Sequence, residues 1–594
     1  MTGSIRRTNF NMASKSLKIL VLDADCNAAT CVVQSLGRAG HKISLAGERK
    51  EAISFRSRYI RDRRIYPSPL ESRKVFLDWF MSTIGEGQFD YILPLSDVSL
   101  YPLREISPKR AEIILPPEDG FEWFFDKSRT IDLAERCGVP VPRSQVVLSS
   151  KEVDPGVLGP PPYFVKLTRS KIWIGDQGMD LAAHLARTVD DLTKAVDELS
   201  RFGPVLLQEY VPGVGVGIEM LCSNGVPLIS FAHQRIHEYP LTGGGSSYRV
   251  SIDIPQSLFE AAKRLVEAAG WSGVVMVEFK MDSGRFSLME VNGRFWGSLP
   301  LSYRSGIDFP KALIDLLEGI PVKGPFRYRT GIYSRRFSTD FAWFKRNLLS
   351  DKRDPYIKTR PVVRSFLEYG RFLFGRDHWD HAFLSDPMPF LSEIFQTFNN
   401  TSSALARMAK RRIIRKWGMG GSRERLKTLL DRPEFKERRM RILVLCYGNI
   451  CRSPFVESLL KKELEPSFFD IKSCGFIEQE GRSSPKDYLD QTIKAGIDLS
   501  SHRSSAISQE WVSWADCILL MDFHNWESLR RLSPKALEKV LWLGAWKKNG
   551  QGEISDPYGK SLGEMEQIIS CLKSVTLSLA DDLKFLKEDI IQKK

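Results

Sequence analysis

No run of about 18 or more apolar residues, the length that crosses a bilayer as a helix, occurs in the 594-residue sequence, so no transmembrane helix is expected. The opening residues, MTGSIRRTNFNMASKS, lack the apolar core of a secretory signal, and residues 1–16 read as a disordered leader on a cytoplasmic protein. Cysteine is scarce: nine residues, an odd number without regular spacing, exclude a disulfide framework. Cys26, Cys31, Cys137, Cys222, Cys474, Cys517 and Cys571 lie in or beside apolar segments and read as small buried residues. Only Cys446 and Cys451 stand in a loop with a chemical rationale. Internal repeats, low-complexity tracts and nucleic-acid-binding motifs are also missing, and no specific nucleic-acid partner is expected.

What is present is an ordinary globular composition, 42% apolar and 27% charged. The chain is too long for one core, which stops growing at about 250–300 residues. The net charge of +14 is concentrated: from Arg327 to Met440 there are 26 Lys or Arg against 12 Asp or Glu, a difference of 14 that accounts for all of it. This segment, rich in Phe and holding Trp343, Trp379 and Trp417, reads as a basic aromatic helical connector over residues 327–440. Within it ALARMAKRRIIRKWGMGG predicts a short basic amphipathic helix ended by glycine. Its charge suits an anionic membrane surface, which would make the protein membrane-peripheral. RDHWDH offers metal-ligand chemistry at Asp377, His378, Asp380 and His381, but reads first as a solvated turn.

The remainder is α/β and multidomain. Lys18 to Gly47 reads as strand, helix, glycine stop and strand, a βαβ opening. DYILPLSDVSLYPL adds a buried strand that ends in a polar loop. A helix after Asp126 and Lys127 leads to a region of strong strands joined by the turns SNGV and DSGR, which predict hairpins and an antiparallel sheet. From Arg441 the strands RILVLC, ADCILLMD and KVLWLG alternate with helical segments, a second α/β sheet with parallel strands.

In VVMVEFKMDSGRFSLMEVNGRF side chains repeat every two residues, so Glu278 on one strand and Glu290 and Asn292 on the next can share a face. Oxygen ligands so grouped suit a hard cation that also binds substrate phosphates. The set Glu278, Glu290-Val291-Asn292-Gly293-Arg294 resembles ATP-grasp enzymes, the family of biotin carboxylase and carbamoyl-phosphate synthase, over residues Lys18 to about Val322. The resemblance implies a pre-ATP-grasp α/β domain at 17–125 and an ATP-grasp α+β domain at 126–326. It implies ATP held by Lys127, Lys166, Gln208, Glu209, Tyr210 and Val211, Mg²⁺ or Mn²⁺ held by Glu278, Glu290 and Asn292, and Arg294 steadying the phosphoryl or acyl-phosphate oxygens. A carboxylate would be activated as an acyl phosphate and captured by an amine or similar nucleophile, so the partners implied are small-molecule carboxylates and amines. The phosphate lid is not clearly marked, because LTRSKIWIGDQGM holds only Gly175 and Gly178. The loop around Gly243–Gly245 could serve as a substrate loop, with Arg235 or Arg249 pairing an acidic substrate, or be a plain flexible turn.

LCYGNICRSPFVESLLKKEL places Cys446 at the end of a strand and Arg452 six residues on, with Ser453 and Pro454 opening a helix. Loop amides and a positive helix end converge there, which makes an anion site and favours a thiolate. Downstream, SDPYGKS carries Asp556 as a candidate acid. This constellation resembles the low-molecular-weight protein tyrosine phosphatases over 441–590, with a four-stranded parallel sheet implied. By that resemblance Cys446 forms a phosphocysteine, and Arg452 binds phosphate with the loop Tyr447, Gly448, Asn449, Ile450, Cys451 and Ser453. Asp556 acts as acid and then base, Asn449 and Ser453 hold the loop and thiolate, and Tyr558 lines an entrance for a phosphotyrosine protein or an aryl or alkyl phosphate. Cys451 could form a reversible disulfide with Cys446. Related arsenate reductases need a downstream cysteine pair, and Cys517 has no second cysteine within ten residues. The first expectation is therefore a bifunctional ligase and phosphatase. A nucleotide-sensing domain regulating the phosphatase, and a membrane-associated binding scaffold, are the alternatives.

Overall fold

The computed structural model describes residues 15–86, 88–106, 112–322, 327–433, 438–547, 552–560 and 562–592. The leader expected at 1–16 falls outside them up to residue 14, as does the side chain of Trp417. The chain forms two units, Met1–Asn399 and Asn400–Lys594. Among the described residues no helix is long and apolar enough to cross a membrane.

The first unit opens with β1 (Lys18–Val21), β2 (Lys42–Gly47), β3 (Ile60–Ile65), β4 (Tyr91–Leu93) and β5 (Glu112–Ile113), a parallel sheet in the order β3-β2-β1-β4-β5. The helix Ala29–Arg38 supplies the crossover between β1 and β2, as the βαβ pattern predicts. After β4 the chain turns directly into the helix Asp97–Leu103, where the sequence had suggested a polar loop. An antiparallel sheet follows, β10-β7-β11-β6, from β6 (Ser144–Val147), β7 (Tyr163–Leu167), β10 (His184–Ala186) and β11 (Val205–Glu209), with β8 (Lys171–Ile174) and β9 (Gln177–Asp180) paired as a separate hairpin.

The largest sheet has the order β16-β15-β12-β13-β14-β17-β18, built from β12 (Val214–Ser223), β13 (Val226–Tyr239), β14 (Gly245–Ser251), β15 (Gly273–Asp282), β16 (Arg285–Asn292), β17 (Tyr333–Arg335) and β18 (Asp377–Trp379). Its hairpin turns carry the expected signals: Asn224-Gly225 and Ser283-Gly284 all have positive φ, the backbone twist that two-residue hairpins need.

This sheet crosses the 326/327 boundary, because β17 and β18 extend its edge beyond β14. RDHWDH is accordingly not a solvated turn. Its residues form β18 and the bend after it, and Asp377, Asp380 and His381 are buried. Burial is tolerated because each finds a partner of opposite character: Arg335 Nη2 lies 2.6 Å from Asp377, Arg249 Nη2 2.5 Å from Asp380, and His381 Nδ1 3.2 Å from Glu393. His237 joins the same layer, stacked on Trp343 with its nitrogens 2.8 Å from Asp340 and 3.0 Å from Glu368.

The short basic helix expected near 404–417 is part of one helix, Met388–Gly420, which passes from the first unit into the second. In the second unit β19 (Met440–Cys446), β20 (Phe469–Gly475), β21 (Cys517–Leu520) and β22 (Val540–Trp542) form a parallel sheet in the order β20-β19-β21-β22. Met419, Leu426, Leu429 and Leu430 are buried in its core, so the rear of the 327–440 segment packs here while the front completes the seven-stranded sheet.

Candidate active sites

One face of the seven-stranded sheet floors a cavity of about 440 Å³. Cross-strand register brings Glu290, Glu278, Gly217 and His233 into one row, and side chains in register share a face. Two glycines of β12 clear this floor. A Cβ at Gly215 would lie 2.7 Å from Arg235 Cδ, and one at Gly217 would lie 2.4 Å from His233 Cε1. Arg235 thereby crosses β12 to reach Glu278, at 2.5 Å, while donating to the carbonyl of Gly244.

At the other wall stand Phe164, Lys166, Gln208, Tyr210 and Val211. Burial, with Lys127 nearby, pushes Lys166 down to about 8 against the pull of Glu290 and Glu278. Lys127 lies 3.6 Å from Glu290 in an adjoining pocket that Lys166 and Gln208 also line. Gln208 donates to Ser144 Oγ and leaves its buried Oε1 without a partner, an acceptor open to a ligand donor. Glu209, expected with these residues, is turned away: both its oxygens bind Arg143, through the backbone N–H at 2.8 Å and Nε at 2.7 Å. Arg294 lines the cavity and donates to Asp97 at 2.7 Å; burial opposes its charge, but Asp97 keeps it above its ordinary value. Gly243, Gly244 and Gly245 also line the cavity, as does Arg235, whereas Arg249 is held by Asp380 in the buried layer. The segment LTRSKIWIGDQGM forms the β8–β9 hairpin, which rests on the first sheet's domain through Trp173 Nε1 to the Pro69 carbonyl and Asp176 to the Lys74 N–H.

The second site lies at the C-terminal end of β19. Asn449 takes a left-handed φ of 52°, which folds residues 447–451 into a tight loop. The approach of β20 is so close that a Cβ at Gly475 would lie 2.8 Å from Asn449 N and from the Tyr447 carbonyl. Cys446 Sγ accepts from the Asn449 N–H at 3.3 Å and from Ser453 Oγ at 3.0 Å. The Asn449 side chain binds Ser453, Ser473 and the Ser505 N–H, and the loop carbonyls of Gly448 and Asn449 meet Arg482 and His502. Arg452, almost wholly buried, donates to Asp522 at 2.5 Å and to Asp556 at 2.6 Å. Burial opposes the Arg452 charge, and Cys446, Asp556 and Asp522 outweigh it. Burial pushes the Cys451 thiol up, with Cys446 and Asp556 adding to the effect. Tyr447, beside the His524 ring at 4.6 Å, and Tyr558 are exposed.

Residues 441–590 match the model described as low molecular weight phosphotyrosine protein phosphatase. The chain is 33% identical over 132 residues, 22% of its own length and 88% of the relative's, to the probable low molecular weight protein-tyrosine-phosphatase EpsP of Ralstonia nicotianae. The chain belongs to this phosphatase family. A protein-arginine-phosphatase of Geobacillus stearothermophilus is 32% identical over 119 residues, 20% of this chain and 79% of that protein. Residues 201–337 match the model described as ATP-grasp in the biosynthetic pathway with Ter operon. Biotin carboxylase of Campylobacter jejuni, solved with β,γ-ATP, is 16% identical and covers 53% of this chain and 74% of that one at a TM-score of 0.44. An ATP-grasp domain and a phosphatase domain, both of enzyme families, are therefore joined in one chain.

ATP-grasp enzymes imply a divalent cation with the nucleotide. Among the described residues no cluster of three or more His, Cys, Asp or Glu offers a ready-made cage. The cross-strand partners Glu278 and Glu290, with Asn292 3.3 Å from Glu278, instead provide two carboxylates and an amide, which fits Mg²⁺ or Mn²⁺ shared with phosphate oxygens. Around the phosphatase loop, sequence reasoning missed Asp522, Arg482, His502 and Ser505. All lie more than 30 positions from the loop residues they hold, and no local pattern marks them.

Proposed function

We propose that the chain is a bifunctional enzyme. Its ATP-grasp domain converts a small carboxylate to an acyl phosphate and passes the acyl group to an amine. Its phosphatase domain hydrolyses a phosphotyrosine protein or an aryl or alkyl phosphate through a phosphocysteine. In the first reaction Tyr210, Val211 and Gln208 hold the adenine, while Lys166 and Lys127 offset phosphate charge. A substrate carboxylate oxygen bonds to the γ-phosphorus, and the bond to the bridging oxygen breaks to release ADP. Glu278, Glu290 and Asn292 would hold the Mg²⁺ or Mn²⁺, which when bound neutralises phosphate oxygens. Arg294, with its fixed fork, steadies the acyl phosphate.

In the second reaction Cys446 Sγ attacks phosphorus, with Arg452 and the amides of Tyr447 to Ser453 around the equatorial oxygens. Asp556 protonates the departing phenoxide and then takes a proton from the water that cleaves the phosphocysteine. The observation that carries this reading is a single side chain: Arg452, buried at the foot of the Cys446 loop, reaches Asp556 at 2.6 Å across 104 positions and so brings the acid to the nucleophile's loop.

The test follows ADP and phosphate separately in the wild type, Glu290→Gln and Cys446→Ser, with ATP, Mg²⁺ and pools of carboxylates and amines. Substrate-dependent ADP release is expected to vanish only in Glu290→Gln, and aryl phosphate hydrolysis only in Cys446→Ser. ADP release untouched by Glu290→Gln would end the ligase reading, and hydrolysis surviving Cys446→Ser would end the other.

A further inference from the structure

At one end of the ATP-grasp cavity is a group of polar atoms that the protein itself leaves unpaired. His233, 1% exposed, lines the cavity wall, and neither ring nitrogen has a hydrogen-bond partner. Behind it Glu219, wholly buried, accepts from Ser298 Oγ at 2.8 Å and brings Oε1 to 2.9 Å from His233 Nδ1, off the line of the N–H, while its Oε2 is unpaired. Trp296 Nε1, in the same wall, is a further unpaired donor. Buried polar groups are nearly always satisfied, and such a cluster on a cavity wall calls for a polar ligand. It lies on the same sheet face as Glu278, the row neighbour of His233 across Gly217, and so beside the proposed phosphate end.

We propose that His233 is a catalytic base for the acyl-transfer step, with Glu219 as the residue that positions it. The proposal rests on the ligase reading above. An amine that is to attack an acyl phosphate must lose a proton as its nitrogen bonds to carbon. Glu219 holds the Nδ1 edge of the ring, the arrangement by which a carboxylate fixes imidazole orientation, which leaves Nε2, buried and unpaired, as the nitrogen free to take a proton. Hydrogen bonds of this kind are often misaligned in an empty site and tighten in the loaded one. As the C–N bond forms, Nε2 takes the nitrogen's proton. The C–O bond to phosphate breaks with its electron pair on oxygen, and the imidazolium returns the proton to the departing phosphate. Gly217 is part of the device, since any side chain there would occupy the space of the ring. The charged groups facing His233 are Glu219 on β12, Glu278 on β15, Arg235 along β13 and Arg249 on β14, with Arg294 on the same cavity wall.

Hydroxylamine tests this, because it is already unprotonated at neutral pH and attacks acyl phosphates without a base. The full chain would be given ATP, Mg²⁺ and an equimolar mixture of the twenty proteinogenic amino acids as carboxylates and amines, with and without hydroxylamine. ADP, amide and hydroxamate would be measured. His233→Asn is expected to keep hydroxamate formation within about twofold, and to keep the ATP-induced rise in melting temperature. Amide formation should fall by about a hundredfold or more at neutral pH and recover toward pH 9.5, where the amines shed their own protons. Glu219→Gln should show the same selective loss to a smaller degree. Equal loss of hydroxamate and amide, or undiminished amide formation, would overturn the base. Wild-type protein that forms neither ADP nor hydroxamate with the mixture would instead overturn the ligase reading, and the base with it.

Discussion

At the scale of single residues, both sites depend on charges held where water is scarce. If Asp556 is the acid, its value depends on the leaving group. Asp556→Asn should slow hydrolysis of phenyl phosphate by about a hundredfold or more, but p-nitrophenyl phosphate much less, since nitrophenoxide leaves unprotonated; steady-state rates on the two esters check this. Lys166 gives a pH signature. Its ammonium, pushed down to about 8 by burial and by Lys127, is charged below that pH and neutral above it. ATP affinity should therefore fall as pH rises through about 8, and Lys166→Arg should move the fall to higher pH, as read by titration calorimetry. The residues of the phosphatase loop were legible because thiol, glycine, arginine and serine lie close along the chain from Cys446 to Ser453, although Ser453 does not cap the helix, which starts at Arg452, and donates to Cys446 Sγ instead. Their supports were not, since Asp522 meets Arg452 across 70 positions. Glu209 shows another limit. A run of four neighbours cannot all face one ligand on a strand, where alternate side chains point apart. Gln208 faces the cavity and Glu209 faces Arg143.

At the scale of elements, β12 shows how a strand makes room rather than contacts. In its Val-Gly-Val-Gly run Val216 is buried on one side while Gly215 and Gly217 empty the other, over which Arg235 and His233 extend. Gly217→Val should leave a folded protein, because valine suits a strand, but it should drive the His233 ring into the cavity. Substrate-dependent ADP release is expected to drop at least tenfold while aryl phosphate hydrolysis in the same sample is unchanged. Hairpins at Asn224-Gly225 and Ser283-Gly284 were readable from their turns. β18 was not, because its string of charges reads as surface until the partners from β14, β17 and the helix Met388–Gly420 are known. Glu393 on that helix measures what the pairing contributes. Burial would raise its carboxyl, yet His381, Arg336 and Ser338 bring it to about 2. A folded value below the unfolded one, about 4.3, gives stability that is complete above the unfolded value and is lost as pH falls toward the folded one. The difference corresponds to on the order of 3 kcal/mol. Glu393→Gln should lower the melting temperature at pH 7 and flatten its decline between pH 5 and pH 2.5, measured by calorimetry.

At the scale of the whole molecule, the basic segment 327–440 is divided between two cores. A chain ending at residue 326 would leave the β14 edge open, Arg249 without Asp380, and His237 without Asp340 and Glu368. Breaking a buried pair costs about 3–5 kcal/mol, and a few such losses equal the roughly 5–15 kcal/mol by which domains are stable. Residues 1–326 should therefore fail to give a cooperative melt, whereas residues 1–399 should melt cooperatively. The converse holds for the phosphatase. Residues 441–594 contain the whole catalytic loop and the matched family region, but they omit Met419, Leu426, Leu429 and Leu430 from the core of that unit. Burying each such side chain contributes roughly 1.5–3 kcal/mol. A chain beginning at residue 400 should accordingly melt several degrees above one beginning at 441, at equal turnover on p-nitrophenyl phosphate. Equal melting temperatures would mean that the helical segment before β19 adds no stability, and that the basic stretch is a tether rather than the outer layer of two folds.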